Sequence, residues 1–275
     1  MQLFPNAKIN IGLNVTEKRN DGYHNLETVF FPIGLRDALY VEKSDRLNNQ
    51  KTDFTLQEFG IEVTNNPERN LVIKALQLLK EDFDMDAVDI HLRKNIPLGA
   101  GLGGGSSDAA NMLIALNQLF ELNLSDTELE KYAVKIGADC PFFIRNTPVF
   151  ATGIGNIFQP VELNLSGWNF VLVKPDVHVT TADAYTSISP KQPSISLLEK
   201  IKLPVESWKD NIFNDFESII FKKYPVIEEV KTTFYKMGAE FALMSGSGSS
   251  VYGLFKEIPE GLKAFDKFFV FVDTF

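Results

Sequence analysis

Five glycines fall within seven positions, at Gly99, Gly101, Gly103, Gly104 and Gly105, and Ser106, Ser107 and an apolar helical pattern follow at once. Each glycine gives up more backbone freedom on folding than any other residue. A plain strand-to-helix turn needs only one or two residues at positive φ, so a run this dense calls for a second purpose. Without Cβ atoms the backbone can lie close to a ligand. The run also delivers its N–H groups to a helix start, where unbonded amides and the helix dipole favour anions. The alternative, a tight connection in which Ser106 or Ser107 merely caps the helix, leaves most of the glycines without a reason. Gly99, Gly101 and Gly104 satisfy the dinucleotide pattern G-x-G-x-x-G, which alone is weak. The preceding Val88, Ile90 and Leu92 alternate with Asp89, His91 and Arg93, whereas a central parallel strand is nearly all apolar. Pro97 also separates that strand from the glycines, so a dinucleotide-binding domain is a distant reading. No glycine of the run is followed by Lys and then Ser or Thr, and the nucleophile elbow and protein-kinase patterns are absent.

The 275 residues point to roughly two domains at about 150 residues each. The formal charge of -9 argues against general nucleic-acid binding, so an anionic substrate has to be attracted by local groups. The single cysteine, Cys140, excludes an intramolecular disulfide framework and fits a reducing compartment. No apolar run reaches the ~20 residues of a membrane span, and the opening MQLFPNAKIN lacks a secretory pattern. The cytoplasm and no membrane partner are therefore expected.

Periodicity predicts strands over residues 7–16, 28–41, 54–63 and 88–92, with an Asp21-Gly22 turn between the first two. Asn66-Pro67 opens a helix with Leu71, Val72, Ala75, Leu78 and Leu79 as its apolar stripe, and a second helix runs from about Ser107 to Leu122. Ser125 and Glu128 have capping-box spacing for a third, ended by Gly137; residues 138–141 turn, and 142–151 return to strand. Beyond residue 153, strands are expected at 170–173, 241–244, 251–255 and 268–272, with helices near 181–188, 214–222 and 226–237. Strands and helices mix without strict βαβ alternation, which means α+β layers.

Three segments together resemble the GHMP kinases: PNAKINIGLNV (residues 5–15), PLGAGLGGGSS (97–107) and MSGSGSSVYGLF (244–255). Their order and spread over nearly the whole chain make the resemblance specific. It implies a two-domain α+β fold, with a ribosomal protein S5 domain 2-like N-terminal domain at 1–152 and a ferredoxin-like C-terminal domain at 153–275. RNDGYHNLET (19–28) and IGADCPFF (136–143) narrow it to the branch that phosphorylates the 2-hydroxyl of a cytidine-diphosphate substrate with ATP, in the non-mevalonate isoprenoid route. The rival readings are a GHMP kinase for mevalonate or homoserine, and a catalytically inactive nucleotide sensor of the same fold.

The resemblance implies roles residue by residue. Asp139 becomes the proton acceptor, where sequence alone reads a turn aspartate, and Lys8 stabilises negative charge beside it. Pro97, Leu98, Gly99, Ala100, Gly101, Leu102, Gly103, Gly104, Gly105, Ser106 and Ser107 cradle the ATP phosphates, with Lys94 just upstream to meet one of them. Asn70 matches a position near adenine and serves equally well as a helix-start residue. Tyr23 and Tyr185 sandwich the cytosine and His24 pairs with its edge; Asn10 and Thr181 match substrate positions. Gly246, Ser247 and Gly248 approach the phosphates or substrate, or form only a tight hairpin. ATP arrives with Mg²⁺, whose ligands the sequence does not identify. His91 and His178 read as surface residues, and Cys140 as a small packed one. Oligomeric state is not legible.

Overall fold

The structure is a computed structural model, and it describes residues 1–44, 53–61 and 69–275. The elements begin with β1 (Gln2–Leu3), β2 (Asn6–Lys18), β3 (His24–Arg36), β4 (Ala38–Lys43) and β5 (Phe54–Gly60). α1 (Leu71–Lys80), β6 (Val88–Lys94), α2 (Gly104–Leu119), α3 (Asp126–Ile136) and α4 (Phe142–Arg145) follow. Next come β7 (Val149–Thr152), β8 (Ile157–Pro160), β9 (Asn169–Lys174), α5 (Thr181–Tyr185), α6 (Leu197–Lys200) and α7 (Trp208–Asn211). The chain closes with α8 (Glu217–Lys223), α9 (Pro225–Lys236), β10 (Phe241–Met244), β11 (Val251–Phe255) and β12 (Phe269–Thr274). None of the described helices is long and apolar enough to cross a membrane.

Two compact units emerge, and neither is one continuous stretch. The first holds Met1–Ala7, Pro32–Leu98 and Gly103–Thr147; the second holds Lys8–Phe31, Gly99–Leu102 and Pro148–Phe275.

The first unit is a sheet in the order β1-β4-β6-β5, antiparallel except for the parallel β5–β6 pair. β6 alternates as expected: Val88, Ile90 and Leu92 are buried, while Arg93 is exposed and Asp89 and His91 are half-buried. α1 packs on α2, and α2 in turn on α3, α4 and β4. The buried stripe of α1 is Val72, Ile73, Ala75, Leu76 and Leu79, so Leu71 and Leu78 lie at its margin. The expected start at Asn66-Pro67 and the end of the 54–63 strand lie outside the described residues. The expected strand over 28–41 is two strands, β3 and β4, broken at Asp37. Its carboxylate accepts the N–H of Asn95 and of Ile96, at 2.5 and 2.8 Å. Residues 142–145 are helical rather than extended: the aromatic run reads as strand, yet the N–H of Phe143 bonds back to the Cys140 carbonyl at 3.1 Å.

The second unit carries two sheets, β2-β3-β7-β8 and β10-β11-β9-β12. β10 and β11 match the expected segments residue for residue and pair antiparallel, as do β11 with β9 and β9 with β12. Its core gathers Leu13 and Val15 of β2 with Val171, Val173, Ile220, Ile227, Phe234 and Phe255. Trp208 is fully buried nearby in the chain, its indole N–H donating to the Leu203 carbonyl at 2.8 Å and its ring edge-on to Phe241.

Candidate active site

In the second unit, β2 brings two polar side chains into the interior because its neighbours satisfy them. Lys8 is buried, and its Nζ donates to Asn10 Oδ1 at 2.6 Å while lying 4.7 Å from the centroid of the Phe30 ring. Asn10 Nδ2 donates to Thr28 Oγ1 at 2.8 Å, and that hydroxyl donates to the Gly12 carbonyl at 2.6 Å. A buried polar group without a partner costs on the order of 1–3 kcal/mol, so this chain of bonds fixes where the Lys8 ammonium sits.

The same unit draws three sequence motifs together. The Asn10 N–H donates to Ser245 Oγ at 3.1 Å, and that hydroxyl donates to the Gly101 carbonyl at 2.9 Å. The Lys8 N–H bonds to the Leu102 carbonyl at 2.9 Å, and the Ser250 N–H to the Ala100 carbonyl at 3.2 Å. Gly101 has to be glycine: its φ is +75°, and a Cβ there would lie 2.0 Å from the Ser245 carbonyl oxygen. Ala100 and Leu102 are buried between such contacts, and Gly246 and Gly248 are buried too, leaving Ser247 as the half-exposed residue of that turn. His178 is exposed, as expected of a surface residue, and its imidazole lies 2.7 Å from where a Gly99 Cβ would stand. Nothing in the sequence pairs residues so far apart. His24 stacks on Tyr185 with centroids 5.0 Å apart, and Tyr185 meets the edge of Phe216. Tyr23 stands out with 62% of its surface exposed, and Thr181 is the exposed first residue of α5.

In the first unit, α2 starts three residues earlier than expected. Its N-cap is Gly103, at φ +68°, so neither Ser106 nor Ser107 caps it. Among the described residues no side chain caps this helix, and its first turn holds no carboxylate. Gly105 and Ser106 are half-exposed, whereas Ser107 is fully buried. Ser106 hydrogen-bonds the Cys140 thiol, which burial pushes up to about 11 and which therefore stays a protonated, packed group. Asp139, half-buried, precedes Cys140 in the turn between α3 and α4. Asn70 is the N-cap of α1: its Oδ1 accepts the Val72 N–H at 3.0 Å and its Nδ2 donates to Glu58 at 2.7 Å. The helix start thus uses the oxygen of its amide, and the nitrogen is held by a β5 carboxylate. Pro97 is buried and Leu98 half-buried.

Lys94 does not stand free to meet a phosphate. It is 1% exposed and ion-paired with Asp37 and, at 2.5 Å, with Asp108. Burial pushes Asp108 up to about 8; the Lys94 ammonium pulls it back and the Asp37 carboxylate adds to the rise. Sequence reading missed both carboxylates. The one signal was Asp37 interrupting an apolar run. Among the described residues no group of three or more His, Cys, Asp or Glu is placed to hold a metal ion.

The model of the GHMP kinase N-terminal domain matches residues 70–147, and that of the GHMP kinase C-terminal domain matches 197–269. The chain is 59% identical over 255 residues to 4-diphosphocytidyl-2-C-methyl-D-erythritol kinase of Bacteroides fragilis, covering 93% of this chain and 92% of that one. The enzyme of the same name from Bacteroides thetaiotaomicron is 55% identical over 261 residues, covering 95% and 93%. A crystal structure of 4-(cytidine 5'-diphospho)-2C-methyl-D-erythritol kinase superposes with a TM-score of 0.79 at 32% identity, covering 99% of this chain and 98% of that one.

Proposed function

The chain belongs to the GHMP kinase family, and from that premise we propose that it phosphorylates the 2-hydroxyl of 4-diphosphocytidyl-2-C-methyl-D-erythritol with ATP, in the non-mevalonate isoprenoid route. Near end-to-end likeness to kinases of that name carries the reading. The geometry adds an anion-ready helix start: the first-turn amides of α2 meet neither a side-chain cap nor a carboxylate among the described residues. These amides and the backbone from Gly99 to Gly105 receive the ATP phosphates, with Ser106 beside them.

In the transfer, the substrate's 2-hydroxyl oxygen attacks the γ-phosphorus in line, the bond to the bridging oxygen of ADP breaks, and the hydroxyl proton passes to the Asp139 carboxylate. Such a reaction leaves the protein mainly positioning and charge stabilisation to supply. Lys8, fixed by Asn10, supplies a cation, and Mg²⁺ enters as part of the MgATP substrate. Tyr23, His24 and Tyr185 hold the cytosine by aromatic faces and an imidazole edge; Asn10 and Thr181 bind the rest of the substrate, and Ser247, with Gly246 and Gly248, closes over it. Residues 1–152 and 153–275 are the two family domains in this reading. The protein works in the cytoplasm on small molecules, without nucleic acid or membrane.

The test offers purified protein MgATP with 4-diphosphocytidyl-2-C-methyl-D-erythritol, mevalonate and homoserine in parallel and follows ADP release. Release with the cytidine substrate alone is expected. Release only with mevalonate or homoserine overturns the substrate, and release with none of the three overturns the kinase.

A further inference from the structure

We propose that Asp37, Lys94 and Asp108 are positioning residues that clamp both ends of the glycine run and hold its amides ready for ATP without touching the nucleotide. The inference rests on the ATP-binding reading above. All three residues lie in the first unit and are 1%, 1% and 3% exposed. One oxygen of Asp37 accepts the N–H groups of Asn95 and Ile96, the last residues before Pro97 and the glycines, and its other oxygen accepts from the Lys94 ammonium. Lys94 ends β6 and donates also to Asp108, on the second turn of α2. A single carboxylate thus holds the entry to the run directly and its exit through one lysine.

Stability alone does not explain the arrangement. Burying charges carries a desolvation cost, and apolar residues of similar volume are often as good or better for folding. What such a trio supplies is a fixed geometry across a segment whose glycines have no side chains to fix it. Ordering a backbone residue costs conformational entropy, so amides set in place before ATP arrives bind more tightly than amides ordered on binding. The first residue of α2 lies against the clamp: a Cβ on Gly104 would come within 2.8 Å of Ile96 Cγ2 and 3.5 Å of Lys94 Nζ.

Asp108→Leu, close in size but unable to accept from Lys94, tests the clamp. Binding of a non-hydrolysable MgATP analogue, measured by calorimetry, is expected to weaken at least about tenfold, and the ATP KM to rise with it. The KM for the cytidine substrate is expected to stay within about twofold. Asp108→Asn still accepts from the ammonium and is expected to keep analogue binding within about threefold of the parent. An Asp108→Leu protein that remains folded and binds the analogue like the parent overturns the clamp, as do two KM values that rise together. If Asp108→Leu does not fold, Asp108→Ser takes its place: loss confined to the analogue supports the clamp and equal loss for both ligands overturns it. Parent protein that binds the analogue yet phosphorylates none of the three alcohols sinks the kinase reading while these binding measurements still judge the clamp.

Discussion

Two helices of the first unit face the same problem at their starts and meet it in opposite ways. Every helix leaves its first N–H groups without intrahelical acceptors. At α3 the chain supplies its own: Ser125 Oγ accepts the Glu128 N–H, and Glu128 Oε2 accepts the Ser125 N–H at 2.8 Å and its hydroxyl at 2.6 Å. Those bonds hold the Glu128 carboxyl below its usual range. α1, α5 and α6 are likewise capped by Asn70, Thr180 and Ser196. α2, longer than any of these, has Gly103 as its N-cap and begins with glycine, glycine and serine. A start that serves itself adds stability and binds nothing. One built only from backbone forgoes that stability and keeps its donors for an anion.

The sharpest way to break this division of labour is at the other end of α3, where the helix delivers Asp139. Asp139→Asn is expected to lower ADP release by about 10²–10⁴-fold, the usual worth of a positioned proton acceptor, with analogue binding unchanged. Turnover within about tenfold of the parent removes Asp139 from the reaction. The next largest effect comes from giving α2 what α3 has. A Cβ at Gly105 meets only Leu71 Cδ1, at 3.6 Å, an ordinary contact, so Gly105→Asp is the substitution that puts a carboxylate in the first turn. It is expected to weaken ATP binding at least about tenfold while leaving the thermal midpoint level or higher, because a charge there favours the helix by ~0.3–1 kcal/mol. ATP binding that survives this change takes the phosphates away from α2. The smallest effect removes the self-service: Ser125→Ala is expected to cost about 1 kcal/mol, roughly 2–4 °C by calorimetry, with no change in the ATP KM.

What the sequence shows follows the range of the forces that fix it. The capping box of α3, the alternation of β6 and the β10 and β11 strands depend on neighbours within a few residues, and each is where periodicity puts it. The family motifs mark Lys8, Asn10, the glycine run and the segment that holds Ser245, yet not that the Ser245 hydroxyl joins Asn10, 235 residues away in the chain, to Gly101. Lys94 looks like a phosphate-binding lysine because a cation just ahead of a glycine loop has no partner visible in the sequence. Its partner Asp37 lies 57 residues upstream, in what reads as one unbroken strand. The Phe142-Phe143-Ile144 run misleads for the opposite reason: its composition favours strand, and the turn that tips it into helix is set by the Cys140 carbonyl.

The burial of Trp208 governs how this molecule can be watched. Both tryptophans of the chain, Trp168 and Trp208, belong to the second unit. Indole emission therefore follows the melting of that unit and is blind to the first, which holds the start of α2 and the Asp37–Lys94–Asp108 trio. Circular dichroism sees both. Where the two optical curves coincide, the units unfold as one cooperative body, and any lag between them gives each unit its own stability.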